Sequence, residues 1–321
     1  MDKEQVHKIL RGTVSIILCL LVSSCNIFDD DLLPCRLTVR FVYDYNMLST
    51  DAFPTQVDKV DLYVFDENGL FVMKQTEERV PTEGGDYQME VSLPTGKYQF
   101  MAWAGVHDSY EIPTLVAGRS TKAELQLKLQ RASSKIINHE LEPLWYGQPI
   151  EVNFTGYHHQ TETIHLIKDT NKLRFAFQYA TQTDGTALNV DDYTYEVIES
   201  NGYLDADNAL LKDEELSYQP YYKEQKNASA VAVELNTMRL MANRATRFVV
   251  TEKATGKPVF DINLTDYLLM TEMEGHKWGA QEYLDRQDEY VIVFFLSSSW
   301  QAVQININGW TWYVQDNGGG I

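Results

Sequence analysis

Apolar and polar residues alternate with period two along most of the chain. The apolar set is rich in aromatic and β-branched types, the signature of half-buried β-strands. RLTVRFVYDY places Leu37, Val39, Phe41 and Tyr43 on one face. KVDLYVF and LFVMKQ flank Asp66-Glu67-Asn68-Gly69, and an Asn-Gly pair supports the positive φ angles of a tight hairpin turn. Tyr87, Met89, Val91 and Leu93 alternate next; Pro94-Thr95-Gly96 turns the chain, and Tyr98 to Trp103 returns. Leu125, Leu127 and Leu129 alternate again before a second cycle: KLRFAFQY, DYTYEVIE, AVAVEL, TRFVVTEK and KPVFDINL. EYVIVFFL and WQAVQININGWTWYV close the chain as its most apolar strands. Only LTDYLLMTEM and GAQEYLDRQ suit helices. Regular strands separated by turn residues predict an all-β fold of sandwiches. A break near Lys168 divides the chain into units at 36–168 and 169–321, packed end to end.

The first residues follow another pattern. Lys3, Lys8 and Arg11 precede a ten-residue apolar run, Thr13 to Val22. That run is about half the roughly 20 residues a membrane-spanning helix needs. A basic start, a short apolar core and small residues ahead of a cut describe a secretory signal peptide over residues 1–24. Val22-Ser23-Ser24-Cys25 resembles the bacterial lipobox, with cleavage between Ser24 and Cys25. Lipid on the Cys25 thiol and a second acylation at the freed α-amine would make a stable anchor, since one acyl chain alone binds only marginally. Residues 25–35 then form an acidic tether. Asp29, Asp30 and Asp31 resemble the export signal that sends Bacteroidota lipoproteins to the outer face of the outer membrane.

Charge and cysteine content narrow the picture. The chain of 321 residues carries a formal net charge of −19. Residues 1–24 carry Lys3, Lys8 and Arg11 against Asp2 and Glu4, net +1, so their removal leaves −20 on the mature chain. That excludes nucleic acid as a partner, which needs a basic stripe, and disfavours adhesion to anionic headgroups. Cys19 leaves with the signal peptide and Cys25 is lipidated, so Cys35 has no intramolecular partner. At the start of an apolar strand, Cys35 is expected to be buried as a small hydrophobe.

Candidate chemistry is sparse. His158, His159 and His165 lack the thiol or carboxylate pattern of a metal site. Asp205, Asp207 and Asn208 resemble part of a calcium loop but miss its glycine and bidentate acid. Phosphate-loop, nucleophile-elbow and zinc-protease motifs do not occur. Among 46 acidic residues, a glycosidase pair cannot be singled out. The expectation is therefore a protein that is not an enzyme, with no catalytic residue, metal or cofactor. Trp300, Trp310 and Trp312 are expected in the core or between sheets, with a sugar-stacking platform as the alternative.

VDLYVFDENGLFV, LPTGKYQFMAWAG, QEYLDRQDEYVIVFFL and ININGWTWYV, in that order, resemble the FimB-type fimbrillin-associated anchor lipoproteins of Bacteroidota. The resemblance implies two transthyretin-like β-sandwich domains in tandem. It also implies an outer-membrane lipoprotein that anchors a fimbrium, limits its length and joins pilin or accessory subunits by β-strand pairing. Of the family's sites, only the lipidated Cys25 carries over. An accessory or tip adhesin, or a glycan-binding surface lipoprotein, is the alternative. The terminal WQAVQININGWTWYV is expected as an integral sandwich strand rather than a donated one.

Overall fold

A computed structural model describes residues 35–80, 87–180, 187–271 and 278–313. Among these the regular structure is almost entirely β-strand, as the alternation predicts. Two of the three short α-helices among the described residues, Leu264–Leu269 and Ala280–Arg286, fall where the sequence suits them; the third is Phe53–Gln56.

The first sheet has seven strands in the order Phe71–Glu77, Val60–Asp66, Gly96–Ala104, Trp145–Phe154, Gln160–Lys168, Leu37–Val42 and Gln88–Val91. Its fourth and fifth strands meet through only three residue pairs, Leu166 with Gly147, Ile167 with Tyr146 and Lys168 with Trp145. At that corner the sheet folds over itself. Leu37, Val39 and Phe41 thus pack in one core with Val60, Leu62 and Phe100, four and three strands away. Gly147 permits the fold: a Cβ there would lie 2.8 Å from both the Ala102 Cβ and the Ile164 Cγ2.

Asn68-Gly69 turns the hairpin between Val60–Asp66 and Phe71–Glu77 as predicted. The Asp66 carboxylate accepts the backbone N–H groups of Asn68 (2.8 Å) and Leu70 (2.9 Å), and Gly69 takes φ +75°. The return after Pro94-Thr95-Gly96 is different. Gln88–Val91 pairs with Leu37–Val42, whereas Gly96–Ala104 pairs with Val60–Asp66 and Trp145–Phe154. The turn carries the chain between layers instead of closing a hairpin. Cys35 is exposed, contrary to expectation. The buried alternation begins at Leu37, so Cys35 precedes the strand, and its thiol donates to the Gly156 carbonyl.

The remaining strands form three sheets. The second runs Tyr222–Asn227, Ala230–Met238, Thr170–Tyr179, Glu289–Leu296, Ala302–Ile307, Trp310–Tyr313. The third runs Lys257–Asn263, Arg247–Glu252, Tyr193–Glu199, Leu216–Tyr218, Ile136–Ile137. Phe175 of the second sheet stacks on Phe248 of the third, with centroids 3.9 Å apart and planes within 5°. The fourth sheet joins Tyr203–Leu204, Leu127–Leu129 and Tyr110–Glu111. In these last two sheets, strands from before and after residue 168 pair side by side.

The interlock is driven by burial. Strands Val60–Asp66 and Gly96–Ala104 are buried on both faces. Val60, Leu62, Val64, Phe100 and Ala102 enter the first core, while Tyr63, Phe65, Met101 and Trp103 enter the second. Leu125, Leu127 and Leu129, all fully buried, cover this second face and continue into the core formed by Phe175, Phe177 and Tyr195. An Arg131–Asp213 ion pair, both side chains buried, ties the same connecting segment to the later strands. Trp103, with no exposed surface, stands at the centre of this junction. Trp103→Ala should destabilise the protein by about 3–5 kcal/mol. Because strands Val60–Asp66 and Gly96–Ala104 belong to both cores, urea unfolding followed by circular dichroism and by tryptophan emission should give one shared transition that moves as a unit.

Candidate anchoring and docking surfaces

Ser24, Cys25, Asp29, Asp30 and Asp31 lie outside the described residues. The described chain begins at Cys35, at the end of the first sandwich where Leu37 lies opposite Gln160 and Gly96 opposite Phe154. The Arg36 carbonyl accepts the Gln160 N–H at 2.8 Å, and a Cβ on Gly156 would approach Thr95 at 2.7 Å. The chain therefore enters the fold at an end built from the loops around Thr95 and Gly156. Tyr157 projects there with 88% of its surface exposed.

The opposite end of that sandwich meets the later sheets at Lys168 and Asp169. The Lys168 ammonium bonds Asp288 and lies 5.5 Å from the centre of the Trp145 ring. Asp169 is completely buried. Its Oδ1 accepts from the Asn208 amide at 2.9 Å, while its Oδ2 has no hydrogen-bond partner among the described residues. The nearest cation, Arg239, stands 3.9 Å from Asp169 and is engaged elsewhere. It donates from Nε and Nη2 to Asp285, both at 2.7 Å, and from Nη1 to the Asn208 carbonyl at 2.9 Å. Two carboxylates thus share one guanidinium. Burial pushes the Asp169 carboxyl up to about 7, against the pull of Arg239 and Asn208. A further clamp closes beside it. The Arg286 guanidinium lies 4.1 Å from the Tyr45 ring centre and 4.6 Å from that of Trp278. It also donates to the Asn46 carbonyl at 3.3 Å. Nothing in the sequence pattern picks out these groups, although a lone aspartate in the short link between two apolar strands marks Asp169.

The sequence candidates for chemistry are scattered. His159 lies near Thr38 and Thr161, and His165 bonds Asp44 at 3.0 Å, so the three histidines form no cluster. Asp205 closes a polar turn, accepting the N–H groups of Asp207 and Ala209, each at 2.9 Å; Asp207 pairs with Lys122, and Asn208 serves Asp169. Trp300 is buried, as expected, against Tyr193 and Phe177. Trp310 departs from expectation with 48% of its surface exposed. Its strand is the last of the second sheet, and nothing in the described structure covers the outer flank. Trp103 and Trp145, like Trp300, are buried, in the second and first cores respectively. The closing stretch does form integral strands, a hairpin of Ala302–Ile307 and Trp310–Tyr313 turned by Asn308-Gly309.

Stacked β-sheets, with these polar groups engaged in structural networks, define an all-β protein of layered sheets. The chain belongs to the family of fimbrillin-A associated anchor proteins Mfa1 and Mfa2, whose model matches residues 29–316. It is similar to the minor fimbrium anchoring subunit Mfa2 of Porphyromonas gingivalis, 22% identical over 303 residues and 90% of each chain. The solved structure of the fimbrial anchor protein Mfa2 from that organism superposes with a TM-score of 0.69 over 88% of this chain and 100% of that one, at 21% identity. A Bacteroides thetaiotaomicron protein for which polysaccharide binding has been suggested is 57% identical, covering 89% of this chain and 100% of its own, with a TM-score of 0.84. A suggested adhesin from Bacteroides ovatus is 27% identical, with 90% and 99% covered and a TM-score of 0.78.

The raised Asp169 carboxyl has a defined effect on stability. Between 3.8, its ordinary value, and about 7, the folded chain holds a proton that the unfolded chain releases. The Asp169 contribution to stability should therefore fall as pH rises through that window, by up to about 1.4 kcal/mol per pH unit. Chemical denaturation at stepped pH should show this slope, and Asp169→Asn should flatten it.

Proposed function

We propose that this protein is a lipoprotein that anchors a fimbrium to the outer face of the outer membrane. In this reading residues 1–24 are removed and lipid on Cys25 holds the chain. Residues 25–35 form the tether, with Asp29, Asp30 and Asp31 as the surface-export signal. Two transthyretin-like β units, 36–168 and 169–321, interlocked where Leu127–Leu129 and Ile136–Ile137 pair with later strands, carry the load to pilin or accessory subunits through β-strand pairing and limit the length of the polymer. Family membership over residues 29–316 is the observation that carries the proposal. Its role is structural, and no residue is assigned to catalysis.

Two further observations support it. Cys35 is exposed at one end of the first sandwich, so a tether entering there need not thread through the fold. The apolar segment Thr13 to Val22 is too short to span a bilayer as a helix, which suits a cleaved leader followed by acyl chains. A glycan-binding role, drawn from the suggested activity of the Bacteroides thetaiotaomicron relative, would have to rest on the edge residues Trp310 and Trp312, because Trp103, Trp145 and Trp300 are buried.

The test is Cys25→Ala expressed with a substitute secretion signal, so that export is preserved. Fimbriae should move from the cell surface into the medium, and the variant should no longer incorporate labelled fatty acid. Retention of fimbriae on cells expressing the variant would overturn the anchoring role.

A further inference from the structure

We propose that the edge strand Trp310–Tyr313 is the acceptor for an extended segment of a fimbrial subunit, which adds to the second sheet as a further strand. The proposal rests on the anchoring reading above and adds to it the place of attachment.

An open strand edge is a template for pairing, and proteins that must avoid pairing block their edges with charge, proline or extreme shortness. The other described edges are blocked in these ways. Phe71–Glu77 carries Lys74 and Glu77, and the Gln75 side chain reaches across to the Glu90 carbonyl of the opposite edge. Gln88–Val91 carries Glu90, which pairs with Arg36. Tyr222–Asn227 presents Lys223 and Lys226, and Lys257–Asn263 has Pro258 in its second position. The edges at Ile136, Tyr203 and Tyr110 are two residues long. Trp310–Tyr313, sequence WTWY, has neither charge nor proline. Trp310 is 48% exposed and Tyr313 74%.

The geometry specifies which atoms would receive the strand. Asn308 (φ +49°) and Gly309 (φ +89°) form a two-residue turn closed by Ile307 and Trp310. In such a turn the closing pair exchanges both hydrogen bonds, and pairs then alternate along the hairpin. Trp310 and Trp312 therefore spend their backbone groups on Ile307 and Ile305. Thr311 and Tyr313 direct their N–H and C=O groups to the open side. Trp310 and Trp312 lie on the core side of the sheet, opposite Ile307 and Ile305. An incoming strand would bond to Thr311 and Tyr313, and its apolar side chains would extend the core face beside the two indoles. The net charge of −20 on each mature chain opposes pairing of two copies, so the occupant is an uncharged or basic strand of another subunit.

Lysine at the edge should block pairing without touching the core, because Thr311 and Tyr313 are exposed. With Cys25 intact, Thr311→Lys and Tyr313→Lys should lower cell-bound fimbriae about tenfold or more, as expected for a loss of about 1.4 kcal/mol or more. The variant protein itself should stay in the membrane fraction with an unchanged unfolding midpoint. Cys25→Ala, by contrast, should release protein and fimbriae together, so failure of the anchor and failure of the edge read out differently. A photo-crosslinking residue at position 313 should join a strand segment of a fimbrial subunit, identified by peptide sequencing, while the same residue at position 223 should not. Undiminished fimbriae on cells carrying the edge variants, equal crosslinking at 223, or an adduct at 313 to a second copy of this chain would overturn the proposal.

Discussion

Burial of one sheet layer on both faces is the constraint on which the architecture depends. Strands Val60–Asp66 and Gly96–Ala104 belong to the first sandwich by their hydrogen bonds, yet half of their side chains lie in the core of the later sheets. A sheet of this kind cannot end one folding unit cleanly. Removing the later strands would expose Tyr63, Phe65, Met101 and Trp103 together, a large apolar surface. The segment carrying Leu125 to Leu129 serves as the filling between layers. Its short pairings with Tyr203–Leu204 hold it in register, as those of Ile136–Ile137 with Leu216–Tyr218 hold the residues beyond it.

This arrangement accounts for which features were legible in the sequence. Alternation locates the strands, and Asn68-Gly69 locates a hairpin, because both signals are local and backbone-driven. Partner choice is not local. Nothing near Pro94 says whether the chain returns beside Gln88–Val91 or crosses to the other layer, since that depends on the corner that Gly147 permits. The continuous apolar run in KVDLYVF is a trace of two-sided burial, but a run of that length suits several arrangements. The two-residue strand Ile136–Ile137 is too short to show periodicity.

The candidate site was legible in a different measure. A lipobox-like stretch ending at Cys25 is readable because a cleavage signal of that kind is a pattern of linear sequence. The environment of Cys35 was misjudged because an apolar neighbourhood in sequence stops at the strand's first buried residue, Leu37. Trp310 was expected inside because its alternation matches that of a core strand. Edge position is a property of the sheet, and a strand cannot advertise its missing neighbour. Asp169 and Arg239 are far apart in sequence, and only the packed junction gives them a shared environment.

The parallel pairing of Leu37–Val42 with Gln160–Lys168 has a mechanical consequence. A pull on the chain at residue 35 acts along the strand axis, away from the fold. The strand is flanked on its other side by Gln88–Val91, so both rows of hydrogen bonds lie across the direction of pull. They are loaded in shear and must fail together, whereas a hairpin pulled open at its end unzips one bond at a time. A molecule held from this point resists drag as a rivet does, with its whole seam bearing the force.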